Sequence, residues 1–353
     1  MTQTLAPKIR LGDLSVGFAH SIAAAITAQG QDPNALLERF ELHPERLVQP
    51  HARLSIARYM RLGHAAIQYT GNPALGISMG QHSQLAFLGL AGITATQAPS
   101  VRAAARCIIG FEPLYAQNYR GASQFIEDHK GAWLNFYSIA PYNAYNYFVV
   151  ESVLLGWIQH LQQVCQGRLE VQLLQIEYPE PSYAAQLTQY LQCPIEFNAK
   201  HNRVRLNQHN LALPNPQHCA GTWHALLELC EEQFLRQTRH YTLVEQVSQL
   251  IAPLLKNGEP SIGQIAHKLH LPTWTLRRKL AAQGTQFRQL VNQTRFDLAS
   301  SYIRDTELTF SEISWLLGFS SPEAFQRAFK RWSQRTPGEF RRAEQQRSTT
   351  YQP

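Results

Sequence analysis

Arg277 and Arg278, then Arg327, Lys330 and Arg331, form two basic clusters near the C-terminal end of the chain, each beside an aromatic or amide side chain. A guanidinium can donate two hydrogen bonds to O6 and N7 of guanine, discriminating against other bases by about 1–3 kcal/mol. A lysine or arginine set beside a phosphate instead adds affinity and salt dependence without sequence information. That is the chemistry of a groove-reading helix. It requires elements that bury one helix face and leave the other polar.

Two segments supply such elements: SIGQIAHKLHLPTWTLRRKLAAQG (261–284) and TFSEISWLLGFSSPEAFQRAFKRWSQ (309–334). A helix-turn-helix needs apolar residues at helical spacing on its inner faces and a small residue where the helices cross. In the first segment Ile262, Ile265 and Leu269 form the inner stripe, Ala266 sits at the crossing, and Leu276 and Leu280 pack back from the second helix. Trp274, Arg277 and Arg278 are left outward. The second segment repeats the plan with Ile313, Leu316, Leu317, Gly318 in the turn, and Phe325, Phe329 and Trp332 inward. Glu323, Gln326, Arg327, Lys330 and Arg331 then face out. Thr309 with Glu312 has the spacing of a capping box, and Ser321 before Pro322 that of an N-cap followed by a first-turn proline.

Between the segments, TQFRQLVNQTRFDLASSYIR (285–304) keeps Phe287, Leu290, Val291, Leu298 and Tyr302 at helical spacing without glycine or proline. It predicts a stiff helix of about 19 residues, roughly 28 Å long. One turn of DNA measures about 34–36 Å, so one chain can set Arg277 and Arg327 in successive major grooves.

Charge is distributed accordingly. Residues 254–353 hold 15 Lys and Arg against 8 Asp and Glu, a net of +7, and the remaining 253 residues hold 17 of each sign. The basicity is local, as expected of a phosphate-binding surface on one module of a longer chain.

The 353 residues suggest two domains. Cys107, Cys165, Cys193, Cys219 and Cys230 are scattered without metal-ligand or disulfide spacing, so reduced thiols and no metal are expected. The first residues lack the order of a secretory leader. Residues 62–101 carry no Asp, Glu, Lys or Arg, but their purest apolar run, LAFLGLAGITAT, has 12 residues, short of the roughly 20 that span a bilayer. A buried core in a cytoplasmic protein is the expectation, with no membrane partner.

Residues 16–115 read mainly as helices, including one ending at Gly71 and one following Pro99 and Ser100. Shorter aromatic-rich segments over 117–139, turning at Lys130 and Gly131, predict a hairpin, and an apolar helix follows over 144–165. VQLLQIEYP, PIEF and RVRL read as strands, with a helix at SYAAQLTQYL. The fold class is therefore an α+β N-terminal domain plus an all-α C-terminal domain with two helix-turn-helix units joined by a linker helix. The expected divisions are 16–215 for the first domain, 216–243 for a connector helix, 244–342 for the second domain and 343–353 for a disordered tail.

The string SEISWLLGFSSPEAFQRAFKRWSQRTPGEFRR resembles the signature of AraC/XylS-type transcriptional regulators. The resemblance implies a seven-helix domain that recognises promoter DNA and usually activates transcription by contacting RNA polymerase. Carried over by position, the family's base-contacting residues fall on Trp274, Arg277, Arg278, Glu323, Gln326 and Arg327; Lys330 and Arg331 are assigned to phosphates. Trp274 has two readings, contact with a thymine methyl or sugar, or packing. Ser314 stands at the crossing position where the family commonly has alanine.

Residues 20–215, with the run IEYPEPSYAAQLTQYLQCPIEFNAKHNRVRLNQHNLALPNP, resemble the arabinose-binding-type N-terminal domain of one AraC subgroup. This implies a sensor for a small-molecule effector and leaves a homodimer open. Trp133, Phe136 and Tyr145, with Tyr142, Tyr147 and Phe148, are either a ligand cavity or core. Arg102 and Arg106, one turn apart, either clamp an effector carboxylate or lie on a solvated face. No H-E-x-x-H, G-x-S-x-G, dinucleotide or Walker A pattern is present, and no cofactor is implied. Cys193 before Pro194 reads as structural, so an enzyme fused to a DNA-binding module is disfavoured. An architectural or adaptor protein without an effector is the remaining alternative, which the large charge-neutral N-terminal region opposes.

Overall fold

The structure, a computed structural model, describes residues 12–49, 51–118, 121–239, 242–306 and 308–350. Two compact units emerge among the described residues, one covering residues 13–238 and the other residue 12 together with residues from 239 onward.

The first unit contains two sheets among its helices. Strands β1 (Gly12–Ser15), β2 (Arg53–Ser55) and β3 (Ala116–Asn118) form a small sheet in the order β2-β1-β3. β1 and β2 have no counterpart in the sequence expectations, which begin the domain at residue 16, because strands of three or four residues carry too little alternation to register; β3 begins the 117–139 stretch expected to be extended. The larger sheet comprises β4 (Gln124–Asp128), β5 (Gly131–Phe136), β6 (Leu173–Gln175), β7 (Ile195–Glu196) and β8 (Asn202–Asn207), in the order β4-β5-β8-β6-β7. The hairpin turn lies where expected: the Asp128 carboxylate accepts from the backbone N–H groups of Lys130 and Gly131 at 2.8 and 3.0 Å. β7 and β8, adjacent in sequence, do not pair; β6 lies between them, parallel to β7 and antiparallel to β8.

The apolar helix Tyr147–Val164 joins two cores. Phe148 enters a core with Ile22, Leu36, Leu54 and Leu62, whereas Leu154, Leu155, Ile158 and Leu161 enter the core of the larger sheet with Leu134, Val204 and Leu206. Helix Leu75–Gln81 lies close along it because Gly76 and Gly80 carry no side chain; a Cβ there would come 2.7 Å from the Phe148 Cα and 2.3 Å from the Leu155 Cβ. The uncharged stretch within 62–101 buries one side in the cores, with Leu62, Leu75, Met79, Ala91 and Ala95 enclosed and Tyr69 and Ile93 each 43% exposed, and among the described residues no helix is long and apolar enough to cross a membrane.

Two expected boundaries change. The helix Ala220–Arg239, read as a connector, packs on the first unit: the Thr94 hydroxyl lies 3.1 Å from the Cys230 sulfur, and the Phe111 and Phe234 rings meet edge to face at 6.2 Å. At the other end, helix Pro337–Thr350 occupies most of the stretch expected to be a disordered tail. Thr336 and Glu339 cap its start reciprocally, and Phe340 anchors it on Phe329 at 5.4 Å. Residues 351–353 lie outside the described residues.

Candidate nucleic-acid interface and sensor cavity

The second unit contains both helix-turn-helix segments. In the first, helix Ile262–Lys268 opens with a capping box that sequence reading overlooked: Ser261 Oγ accepts from Gln264 N at 3.2 Å, and Gln264 Oε1 accepts from Ser261 N at 3.0 Å. Ile265 and Ala266 are buried against Leu276 and Leu280 of helix Thr273–Ala282. Ile262 and Leu269 are half-buried. On the opposite face Arg277 and Arg278 are exposed. Trp274 is 63% exposed, its ring 5.1 Å from the Arg278 guanidinium. That exposure bears on the choice left open by sequence: Trp274 is not a core residue.

The second segment follows the same plan with more aromatic packing. Helix Phe310–Leu316 starts at the capping box of Thr309 and Glu312, with bonds of 3.2 and 2.7 Å. Ser314 is 2% exposed, so the crossing accepts a hydroxyl in place of a methyl group. Gly318 turns the chain at φ +69°, where a Cβ would lie 2.1 Å from the Leu255 carbonyl oxygen. Both the left-handed backbone and the contact require glycine. Ser321 then caps helix Pro322–Ser333 through a 3.2 Å bond to Ala324 N. Phe325 and Phe329 are fully buried, and half-buried Trp332 meets Phe296 and Phe319.

Outside that packing stand Glu323, Gln326, Arg327, Lys330 and Arg331, all exposed. The Ser321 hydroxyl, with smaller help from Arg327, holds the Glu323 carboxyl below its usual range, so it is an acceptor at neutral pH. Among the described residues none of Arg277, Arg327, Lys330 and Arg331 forms a salt bridge.

Helix Phe287–Asp305 connects the segments with the 19 residues that the sequence predicted. Two arginines counted within the basic surplus are structural. Arg295 donates from Nε to the Leu317 carbonyl at 3.0 Å, and Arg341 donates to the Ile303 and Leu308 carbonyls at 3.2 and 2.6 Å. These carbonyls lie at or just beyond helix C-terminal ends, where a cation is favoured.

Comparison with known families decides what kind of protein this is. A model described as the arabinose-binding domain of AraC transcription regulator, N-terminal, matches residues 30–215, and a helix-turn-helix domain model matches residues 265–343. The chain belongs to the AraC family of transcription regulators. Over 335 residues this regulator is 25% identical to the ornithine utilization regulator of Pseudomonas aeruginosa, covering 93% of this chain and 96% of the relative. It is 24% identical over 316 residues to the regulator VirS of Mycobacterium tuberculosis, covering 88% and 91%. The crystal structure of the transcriptional regulator CdpR from Pseudomonas aeruginosa aligns over 88% of this chain and 96% of that chain, at 21% identity and a TM-score of 0.43.

In the sensor unit of this regulator, the residues singled out for effector contact are not gathered into one site. Arg102 Nε and Arg106 close on Glu127 of β4 at 2.9 and 2.6 Å, and Arg102 also donates to Gln208 at 2.6 Å. They do clamp a carboxylate, but one supplied by the chain itself. Trp133 is covered by the Arg203 guanidinium, 3.7 Å from its ring centre. Phe136 is core, 4.4 Å from Tyr137 and 6.3 Å from Trp157, and Tyr145 lies 4.5 Å from His64. Tyr147 stacks on Tyr178 at 4.0 Å.

A cavity of about 40 Å³ lies elsewhere, its walls drawn from both cores of the unit, and none of Arg102, Arg106, Trp133, Phe136, Tyr145 and Tyr147 lines it. Phe18, Tyr115 and Trp157 give it an aromatic wall, and Ser21, Ser83 and His160 a polar one. Ser83 Oγ sits 2.9 Å from His160 Nε2 and accepts from Ser21 Oγ at 3.4 Å. Burial pushes the His160 imidazole down to about 3, so it is neutral. Glu112 also lines the cavity, its carboxylate accepting from Ser123 N at 2.9 Å and Ser123 Oγ at 2.7 Å. Burial raises the Glu112 carboxyl and the Ser123 bonds partly offset it. Sequence offered no signal for this site, because its lining comes from separated parts of the chain.

Proposed function

We propose that this regulator is a promoter-specific activator whose helices Thr273–Ala282 and Pro322–Ser333 enter successive major grooves on one face of the duplex. In this reading Arg277, Arg278 and Arg327 read guanine edges, Gln326 and Glu323 take the adenine- and cytosine-type contacts open to an amide and a carboxylate, and Trp274 meets a thymine methyl or sugar. Lys330 and Arg331 neutralise phosphates. RNA polymerase is the partner through which bound protein activates, a small-molecule effector acts through the sensor unit, and a homodimer is the form that binds. The observation carrying the reading is that both second helices bury their apolar stripe and leave the proposed contact residues exposed.

The test is selection of DNA from a random pool by the purified full chain, repeated with R327A and K330A. R327A is expected to relax one base position of the selected site, and K330A to leave the selected sequence unchanged while weakening all sites alike. Identical losses across every sequence, with unchanged salt dependence in both variants, would overturn the assignment of roles.

A further inference from the structure

Most glycines inside the sensor helices have a steric reason to be there. A Cβ at Gly63, Gly76, Gly80 or Gly92 would come within 2.2, 2.4, 2.3 and 1.7 Å of a neighbour. Gly156, in the middle of helix Tyr147–Val164, is different: its nearest neighbours would be Ser83 Cβ and Oγ at 3.8 Å and His160 Cε1 at 4.0 Å, ordinary contact distances. Glycine in a helix interior is disfavoured relative to alanine. Here neither packing nor backbone conformation demands it, and the space its missing side chain leaves is part of the cavity.

The lining restricts what can occupy that space. Among the described residues no lysine or arginine lines the cavity, so a carboxylate or phosphate would be buried without a countercharge. The acidic group is Glu112, held in place by Ser123. The same cavity is lined by the hydroxyl groups of Ser21, Ser83 and Ser152 and by the aromatic rings of Phe18 and Tyr115. A buried ammonium group needs an opposite charge and acceptors for three N–H bonds, and gains from ring faces. With roughly 10–15 Å³ needed per water-sized group, the cavity of about 40 Å³ holds about three to four such groups, the size of a three-carbon amine.

We propose that this cavity is the effector site of the sensor unit and that it takes a small primary amine in its ammonium form, with Glu112 as counter-ion and the serine hydroxyls as acceptors. The proposal rests on the reading of the chain as an effector-controlled regulator and deepens it by naming site and ligand class.

The test uses the full-length protein, with n-propylamine as probe and propionate and 1-propanol as charge-reversed and neutral controls at equal ionic strength. Thermal shift and calorimetric titration are expected to show saturable stabilisation by n-propylamine and none by propionate. G156A, which fits the backbone without a clash and fills part of the space, is expected to keep or raise Tm while weakening the amine at least about tenfold. E112Q is expected to weaken the amine by at least about tenfold and to leave any response to 1-propanol unchanged. Stabilisation by propionate equal to that by n-propylamine, no saturable response to the amine, or unaltered amine binding in both variants would overturn the proposal. Gel shifts on a selected DNA site, run on the same preparation without amine, separate the two readings. Intact DNA binding with no amine response counts against the cavity assignment alone, whereas failure to bind any selected site counts against the regulator reading.

Discussion

In the sensor unit the guanidinium groups of Arg102, Arg106 and Arg205 close onto Glu127 and Asp128 of a single hairpin, whereas in the DNA-binding unit Arg277 and Arg327 face solvent with no salt bridge among the described residues. Arg205 grips Asp128 through two bonds of 2.9 and 2.8 Å, and that contact, aided by the Lys130 and Gly131 N–H groups, holds the Asp128 carboxyl well below its usual range. The difference lies in placement rather than residue type, since Arg295 and Arg341 in the second unit are also fastened internally. A basic residue is therefore available to DNA only where a helix buries its other face and no carboxylate is set opposite. The two units also differ in what fills their cores. Phe296, Phe319, Phe325, Phe329, Trp332 and Phe340 form a continuous ring cluster beneath the second reading helix.

Removing that cluster should separate fold from surface chemistry most forcefully. F329A deletes a fully buried ring and is expected to cost about 3–5 kcal/mol in urea denaturation, with DNA binding lost as a consequence of unfolding. A fully folded F329A that still fails to bind would show that this ring has a second role.

The sensor unit should differ in its response to pH. Glu151 is buried, with Oε1 accepting from Tyr178 and Tyr183 at 2.8 and 2.7 Å, and burial pushes its carboxyl up to about 7. The folded form then holds a proton that the unfolded chain releases above about 4.5. Its contribution is complete below that value and is lost as pH rises through 7. E151Q, which keeps the acceptor and cannot ionise, should match the wild type near pH 5 and exceed it at pH 8 by on the order of 3 kcal/mol. Parallel stability curves for the two proteins would refute the buried-proton account.

A sharper comparison sets R327A and K330A against R205A. R327A should cost about 1–3 kcal/mol on the preferred site and little elsewhere. K330A should leave stability unchanged and reduce the slope of log affinity against log salt by about 0.9. R205A, which strips a fastener from the hairpin, should lower Tm and leave that slope alone. Salt titrations and melts of the three variants test the division, and a slope change in R205A would erase it.

Much of this was legible in the chain. The periodicity of 261–284 and 309–334, the Thr309 and Glu312 pair, Ser321 before Pro322 and the unbroken pattern of the linker placed the two helix-turn-helix segments and the helix between them, because each signal is local, whereas helix Pro337–Thr350 was not legible in this way. The order of strands β5, β8 and β6, and the small sheet that ties Gly12–Ser15 to Arg53–Ser55, were not legible, because they depend on pairings between distant segments. The effector residues show the same limit: Arg102 and Arg106 had the right spacing for a carboxylate, but the sequence does not show that Glu127 supplies it.

By itself, then, the sequence determined the outward face of each reading helix, since burying Leu276, Leu280, Phe325 and Phe329 leaves Arg277 and Arg327 one direction to point. Only the tertiary structure decided which charges were already neutralised within the molecule and where its walls left a space. Both depend on side chains brought together from distant positions, and a one-dimensional pattern carries no record of those meetings.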